Sequence, residues 1–266
     1  MNIGVIGAGR MGQPIIGHLA RKGFGTRVFD IDRAKRAFVE SRGAAWCGDL
    51  AALAAASDVV LVCVGYDEEL RALFPQLAPA ARAGVIVAVL STVHPKTVQE
   101  LAISYAQRSL TVVDATMCRG GRAADEGTLL CFVGGEATTV ERLRPVLSAF
   151  ASDVVHTGPV GSAQVAKAAN NLILWACLIA DHEALALAQR YGLDAEKLRA
   201  ALGISSAAND ALAKWGTQTM AWADDDMAII ADMARDCGLK LPQADVTREI
   251  CRTLKPRRHR LDEYGR

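Results

Sequence analysis

Apolar runs of strand length alternate with helical stretches through the first half of the chain, whereas the second half keeps helical spacing alone. Residues 3–6 and 27–29 are two short runs, with a helical pattern over 11–22 between them and another over 33–41 after them. Asp58 opens Val59-Val60-Leu61-Val62-Cys63-Val64, an unbroken, mostly β-branched run of the kind that packs on both faces. Residues 85–90 repeat that character, and Pro95 starts a helix expected to reach 107. Further strands are expected at 110–113 and 129–133. Strands alternating with helices imply βαβ units and a mostly parallel sheet. From Val160 onward the strand signal fades. Alanines and leucines recur at helical spacing through 163–189, Gly192 provides a stop, and shorter helices are expected at 195–202, 207–215, 225–237 and 243–254. The fold class is therefore α/β, with a doubly wound sheet first and an all-α part after it.

One joint in this pattern carries chemistry. Gly7-Ala8-Gly9-Arg10-Met11-Gly12 lies between the first strand and the first helix, and glycines at that spacing in that setting suit a dinucleotide. Gly7 permits the tight turn, Gly9 leaves room for the backbone to approach a pyrophosphate, and Gly12 lets helix and strand pack closely. The backbone of the segment, Ala8, Arg10 and Met11 included, then presents N–H groups at the positive end of the helix. The second strand ends in Asp30, whose carboxylate suits the ribose hydroxyls of NAD and repels the 2′-phosphate of NADP. The expected cofactor is NAD, with NADP disfavoured. This places an N-terminal NAD-binding domain of Rossmann type at 1–161 and a helical substrate or dimerisation domain at 162–266.

The totals narrow the classes. The 266 residues are 51% apolar and 22% charged, enough for a sizeable core. A formal charge of +1 offers no basic face for nucleic acid. Lys255, Arg257, Arg258, His259 and Arg260 form the one basic cluster, expected to be a solvated tail. No secretory leader pattern opens the chain, and no apolar run reaches the roughly 18 residues of a membrane span. The seven cysteines (Cys47, Cys63, Cys118, Cys131, Cys177, Cys237 and Cys251) are odd in number, form no CxxC pair and sit mostly in apolar runs. They read as reduced thiols of a cytoplasmic protein rather than as metal ligands. The apolar faces of the helical half exceed what one small bundle can cover, which points to a homodimer or homotetramer.

Two later segments add chemistry. In Gly158-Pro159-Val160-Gly161-Ser162-Ala163-Gln164-Val165-Ala166-Lys167-Ala168-Ala169-Asn170-Asn171, a lysine sits among apolar neighbours near the start of a long helix. Such surroundings suit an amine to proton transfer, and Asn171, one turn on, shares its face. In Asp114-Ala115-Thr116-Met117-Cys118-Arg119-Gly120-Gly121-Arg122-Ala123-Ala124-Asp125-Glu126-Gly127-Thr128-Leu129, a glycine-rich turn can aim consecutive N–H groups at an anion.

Together with the opening segment through Gln13-Pro14, these resemble the β-hydroxyacid dehydrogenase family, which includes 3-hydroxyisobutyrate dehydrogenases and tartronate semialdehyde reductases. The resemblance runs over nearly the whole chain in the same order. It implies hydride transfer between NAD and a small β-hydroxy acid or its semialdehyde, with Lys167 as acid/base and Asn171 orienting the substrate oxygen. It also implies that Cys118, Arg119 and Gly120 hold the substrate carboxylate. Val64 and Gly65 would line the adenosine ribose and diphosphate, and Thr92, in Ser91-Thr92-Val93-His94-Pro95, would reach the nicotinamide side.

Besides Ala163, which stands where the family has a glycine, three positions depart from the family pattern. Cys118 replaces a serine and is the poorer donor. Arg119 replaces a glycine; it could grip an anion in bidentate fashion or point to solvent. Asp225, beside Asp226, replaces a lysine that touches the cofactor. The three carboxylates Asp224, Asp225 and Asp226 diverge around a helix and are not read as a metal site. These departures leave open a reductase of a bulkier or differently charged aldehyde acid. The reading from another class is a catalytically silent NAD-binding protein. None of His18, His94, His156, His182 and His259 is assigned to catalysis.

Overall fold

The computed structural model describes residues 1–108 and 110–265. The chain divides into two compact units, Met1–Lys167 and Ala168–Arg266.

The first unit is built on a sheet of eight strands: β1 (Asn2–Ile6), β2 (Gly25–Phe29), β3 (Ala45–Trp46), β4 (Val59–Val62), β5 (Ile86–Val89), β6 (Thr111–Cys118), β7 (Leu129–Gly134) and β8 (Ala151–Gly158). Their order is β3-β2-β1-β4-β5-β6-β7-β8. Neighbours run parallel throughout except β6 and β7, which pair antiparallel, so the last two strands reverse the direction of the other six. The helices are α1 (Gly12–Arg21), α2 (Arg36–Ser41), α3 (Leu50–Ala55), α4 (Asp67–Leu77), α5 (Pro95–Ala106), α6 (Gly120–Glu126) and α7 (Ala137–Leu147).

Alternation along the strands divides the core. Ile3 and Val5 of β1, Leu61 of β4 and Ala88 of β5 face one way and pack with Ile15, Ile16 and Leu19 of α1 and Leu143 and Leu147 of α7. Their neighbours Ile6, Val60, Val62, Val87 and Val89 face the other way, onto Leu53 of α3, Phe74 of α4 and Val98 of α5. A strand covered on both faces has no position for a polar side chain, which is why β4 and β5 are apolar at every position. Each such burial contributes about 1.5–3 kcal/mol.

The α/β class holds, but several elements differ from the sequence reading. β8 was not expected. It reads Ala-Ser-Asp-Val-Val-His-Thr-Gly, and as the last strand of the sheet most of its residues meet solvent, so no apolar run marks it. α4 and α7 also escape the pattern, because Pro75 and Pro145 lie within them and lower the apparent helix propensity.

The second unit is helical. It comprises the greater part of α8 (Ser162–Arg190), then α9 (Ala195–Leu202), α10 (Asp210–Ala213), α11 (Ala223–Asp236) and α12 (Pro242–Leu254). Its core gathers Trp175, Leu178, Met220, Met227, Ile230 and Leu254. By length and composition α8 could cross a membrane; its Ala168, Trp175, Leu178 and Ile179 belong to the core of the second unit. The basic segment after α12 is not a solvated tail. Lys255 Nζ donates to Ala221 O, Arg258 Nε to Gln218 O, and the His259 N–H to Nε2 of the fully buried His182. The cationic heads of Lys255 and Arg258 satisfy backbone carbonyls.

Candidate active site

In the six parallel strands the carboxyl ends lie along one edge, and the chain changes direction between β1 and β4. That crevice is where open α/β sheets bind ligands. Side by side around it stand Asp30 after β2, Gly7 after β1, Val64 and Gly65 after β4, Thr92 after β5 and Cys118 at the end of β6.

The glycine turn has the geometry a pyrophosphate needs. Gly7 has φ +98°, and a Cβ on it would lie 2.3 Å from Cys63 O. A Cβ on Gly12 would lie 2.0 Å from Gly7 O, whereas one on Gly9 would meet nothing within 4 Å. Gly7 and Gly12 are thus demanded by the fold, and Gly9 faces space. Met11 gives α1 no side-chain cap; Gln13 N bonds back to Gly9 O and Pro14 carries no N–H, so in the first turn of the helix the Gly12 N–H is left for an anion. Asp30 is buried at 7% exposure. Its Oδ2 accepts from Ala8 N at 2.7 Å and Lys35 Nζ at 2.9 Å, and its Oδ1 from Asp32 N at 2.8 Å. Burial pushes its carboxyl up, but these donors outweigh burial and hold it below the ordinary carboxylate range. The residues present therefore fit a dinucleotide, with an ionised Asp30 at the ribose end. Val64 N donates to Ser91 Oγ and Gly65 N to Glu69 Oε2, which fixes the next loop.

Lys167 lies in the second turn of α8, and the start of that helix is tied to the sheet by buried polar groups. Asp114, on β6 and fully buried, accepts from Gly161 N at 2.8 Å and Gln164 N at 2.9 Å. Burial raises its pKa, and these N–H groups offset that only in part. Thr116 Oγ1 donates to Ala163 O at 3.0 Å. Gln164, 1% exposed, accepts from Val93 N and donates to Ser91 O, latching α8 to the loop after β5 that also carries Thr92. Lys167 itself is half-buried and has no hydrogen bond or ion pair among the described residues. Asn171, 2% exposed, accepts from the Asn170 side-chain amide. Sequence reading quoted Asp114, Thr116 and Gln164 without giving them a role. The available signal was a carboxylate inside an otherwise apolar strand.

At the other loop, Cys118 is buried and lies on the same face of β6 as Asp114 and Thr116. Arg119 takes neither alternative offered for it. Its guanidinium donates to Thr128 O, Ser152 Oγ and Asp153 Oδ2 at 2.7–3.0 Å, so its side chain is committed to structure rather than to an anion. Its backbone, at φ +82°, still makes the turn into Gly120. In the second unit Asp226 accepts from the Trp175 indole, while Asp225 is exposed.

A family model described as the NAD binding domain of 6-phosphogluconate dehydrogenase matches residues 2–158, and one described as NAD-binding of NADP-dependent 3-hydroxyisobutyrate dehydrogenase matches 161–263. The chain is 32% identical to 2-(hydroxymethyl)glutarate dehydrogenase of Eubacterium barkeri over 209 residues, covering 77% of this chain and 69% of that protein. It is 31% identical to the NAD-dependent L-serine dehydrogenase of Pseudomonas aeruginosa over 213 residues, 79% of this chain and 72% of that one. The solved 3-hydroxyisobutyrate dehydrogenase of Mycobacterium tuberculosis, with L-serine, superposes at a TM-score of 0.89 with 24% identity, covering 96% and 94% of the two chains.

Proposed function

The chain belongs to the β-hydroxyacid dehydrogenase family, and from that premise we propose that Lys167 is the acid/base of a hydride transfer between NAD and a short β-hydroxy acid or its semialdehyde. That the protein is a nicotinamide-dependent oxidoreductase acting on the CH–OH of small hydroxy acids follows from the family. When bound, the nicotinamide supplies or takes the hydride. The chain's own residues do the rest. Lys167 accepts the hydroxyl proton in oxidation and returns it in reduction. Asn171, on the same helix face, orients that oxygen. The backbone of Cys118 and Gly120 holds the carboxylate.

The observation that carries this reading is an ammonium with no partner among the described residues, on a helix start pinned by Asp114, Thr116 and Gln164. Lys22, Lys197 and Lys240 also lack a side-chain partner among the described residues, but they are exposed, whereas Lys167 is half-buried. Asp30 supports NAD over NADP, since an ionised carboxylate repels a 2′-phosphate. Two features favour NADP: Lys35, 2.9 Å away, could turn toward such a phosphate, and the family model matching 161–263 is described for an NADP-dependent enzyme. The exposed apolar residues of the helical unit, Ile173, Leu187, Tyr191 and Ile204 among them, support assembly into a homodimer or homotetramer. Seven free thiols support a reducing, cytoplasmic setting.

The test is a panel of short hydroxy acids followed by NADH appearance, with NADP run in parallel, on wild type and Lys167→Ala. The expected result is turnover with NAD that falls by about 10²–10⁴-fold in the variant, while NADH still binds. Turnover unaffected by Lys167→Ala would end the assignment, and NADH binding without turnover of any acid would favour a silent NAD-binding protein.

A further inference from the structure

The glycine turn and the acid-binding turn are physically joined, and Arg10 is the join. Arg10 belongs to the first loop. Its Nη1 and Nη2 donate to Oδ1 and Oδ2 of Asp125 at 2.8 and 2.6 Å, a two-pronged pair. Asp125 lies on α6, the helix that begins two residues after Cys118. The same guanidinium rests on Gly121, where an added Cβ would come within 2.6 Å of Arg10 Nη2. A side chain on Gly121 would therefore displace the Arg10 guanidinium.

A second contact joins the first at the C-terminal end of α6. On α1, His18 Nε2 bonds to the carbonyls of Ala124 and Asp125 at 3.0 and 3.1 Å, and Arg21 Nη2 bonds to His18 Nδ1 at 2.8 Å. Because arginine can only donate, Nδ1 is the acceptor and Nε2 carries the proton given to the last carbonyls of α6. A Cβ on Gly127, which has φ +73°, would lie 2.7 Å from His18 Cε1. α6 is thus approached at Gly121 and held over 124–127 by side chains of the glycine loop and of the helix that follows it. Neither contact is needed to form the glycine turn itself.

We propose that Arg10 is a positioning residue that makes the acid-binding turn depend on the dinucleotide. Exposed ion pairs are loosely held when both ends are free to move. A pyrophosphate bound to the backbone at 7–12 fixes one end of this pair. Arg10 then fixes Asp125 and Gly121, and with them the N–H groups at 118–121. The inference rests on reading 118–121 as the carboxylate site, and the coupling is reciprocal: a bound acid would tighten the dinucleotide by the same factor.

The test uses the full chain, wild type and Asp125→Asn, with NADH as the probe. Hydrogen exchange of the amides at 120–127 is measured with and without saturating NADH, and NADH affinity by fluorescence. In wild type, NADH should slow exchange at 120–127 by about fivefold or more, the low end of ordinary coupling between sites. In Asp125→Asn the slowing should vanish although NADH still binds, and the KM for the best acid of the panel should rise about fivefold with a smaller change in kcat. Gly121→Ala, which pushes the guanidinium aside without touching Asp125, should do the same. Slowing that persists in both variants, or is absent from wild type, overturns the proposal. The exchange measurement needs no turnover, so a panel on which no acid reacts would refute the substrate reading while this coupling is still decided.

Discussion

Asp114→Asn tests whether the start of α8 is held by a carboxylate or merely packed. The wild-type carboxylate gives one oxygen to Gly161 N at 2.8 Å and the other to Gln164 N at 2.9 Å, with no water-exposed surface. An asparagine of the same shape has one oxygen. Its amide nitrogen must face the second N–H, donor to donor. The loss is one charge-assisted hydrogen bond, about 1.5–3 kcal/mol, with a buried donor left unpaired. Burial works in the opposite direction. It raises the Asp114 pKa, so the ionised side chain bears a desolvation cost that the amide escapes. The balance is a destabilisation of about 2 kcal/mol, or a fall in Tm of about 4–8 °C for a unit of this size.

The larger effect falls on turnover. Lys167 follows one turn after the two N–H groups that Asp114 holds, and displacing a reacting group by about 1 Å costs on the order of 10²-fold in rate. NADH affinity should hold within about twofold, since the glycine turn and Asp30 belong to other strands and distant sites act independently. Thermal unfolding, NADH fluorescence and steady-state kinetics measure the three quantities. Gly134→Ala approaches the same node from the other side. Its Cβ would come 2.4 Å from Asp114 Oδ1 and 2.8 Å from Pro159 O, and it should lower kcat likewise. Wild-type kcat in Asp114→Asn, whatever its Tm, would refute the claim that this carboxylate positions Lys167.

His182 predicts an acid limit to stability. Its Nδ1 donates to Leu178 O and its Nε2 accepts from the His259 N–H, leaving no place for a second proton, and burial lowers its pKa to about 4 from an ordinary 6.5. A lowered folded value means that the unfolded chain protonates first. Stability present above pH 6.5 is therefore lost as pH falls toward 4, by about 3 kcal/mol from 1.36 kcal/mol per unit of difference. Urea unfolding followed by the fluorescence of Trp215, whose ring centre is 4.4 Å from His182, should show that slope, and a flat profile across the window would count against it. Gly9→Ala should keep the wild-type Tm, because its Cβ meets nothing, yet bind NADH about tenfold more weakly or worse; unchanged NADH affinity would show that no ligand backbone approaches there. Arg119→Gly relieves a left-handed conformation worth about 1–2 kcal/mol. It also loses an exposed pair with Asp153 worth about 0–1 kcal/mol and gains chain flexibility costing about 0.5–1 kcal/mol. Thermal unfolding should place it within about 1 kcal/mol of wild type, and a loss of several would mean that the guanidinium holds β8 in place.

Why some of this was legible and some not comes down to the range of the interaction. β4, β5 and the glycine turn answer to local rules: both-face burial demands unbroken apolar residues, and a positive φ beneath Cys63 O demands Gly7. Both leave their mark within a few residues. Lys167 could be put forward as the acid/base because its flanking segment is specific. The role of Arg119 depended on Ser152 and Asp153, more than 30 residues away, and no short window contains them. The basic cluster misled for the same reason. Lys255 and Arg258 look solvated by composition, and only the carbonyls of Ala221 and Gln218 make them structural. β8 failed differently, because a sheet's last strand needs no apolar pattern on the face it shows to water.

The distribution of buried polar groups in the first unit argues that positioning, more than affinity, shaped this site. A buried polar group costs free energy unless fully bonded, so its placement is informative. Ser91, Asp114, Thr116 and Gln164 are all buried, and all bond across from the sheet's carboxyl edge to the start of α8 or to the loop beside it. An apolar seam of the same size would hold that helix at least as strongly. It would not fix its rotation, because apolar contacts are non-directional. Hydrogen bonds at 2.8–3.0 Å from three different elements do fix it. The residue whose direction that rotation sets, one turn later, is Lys167.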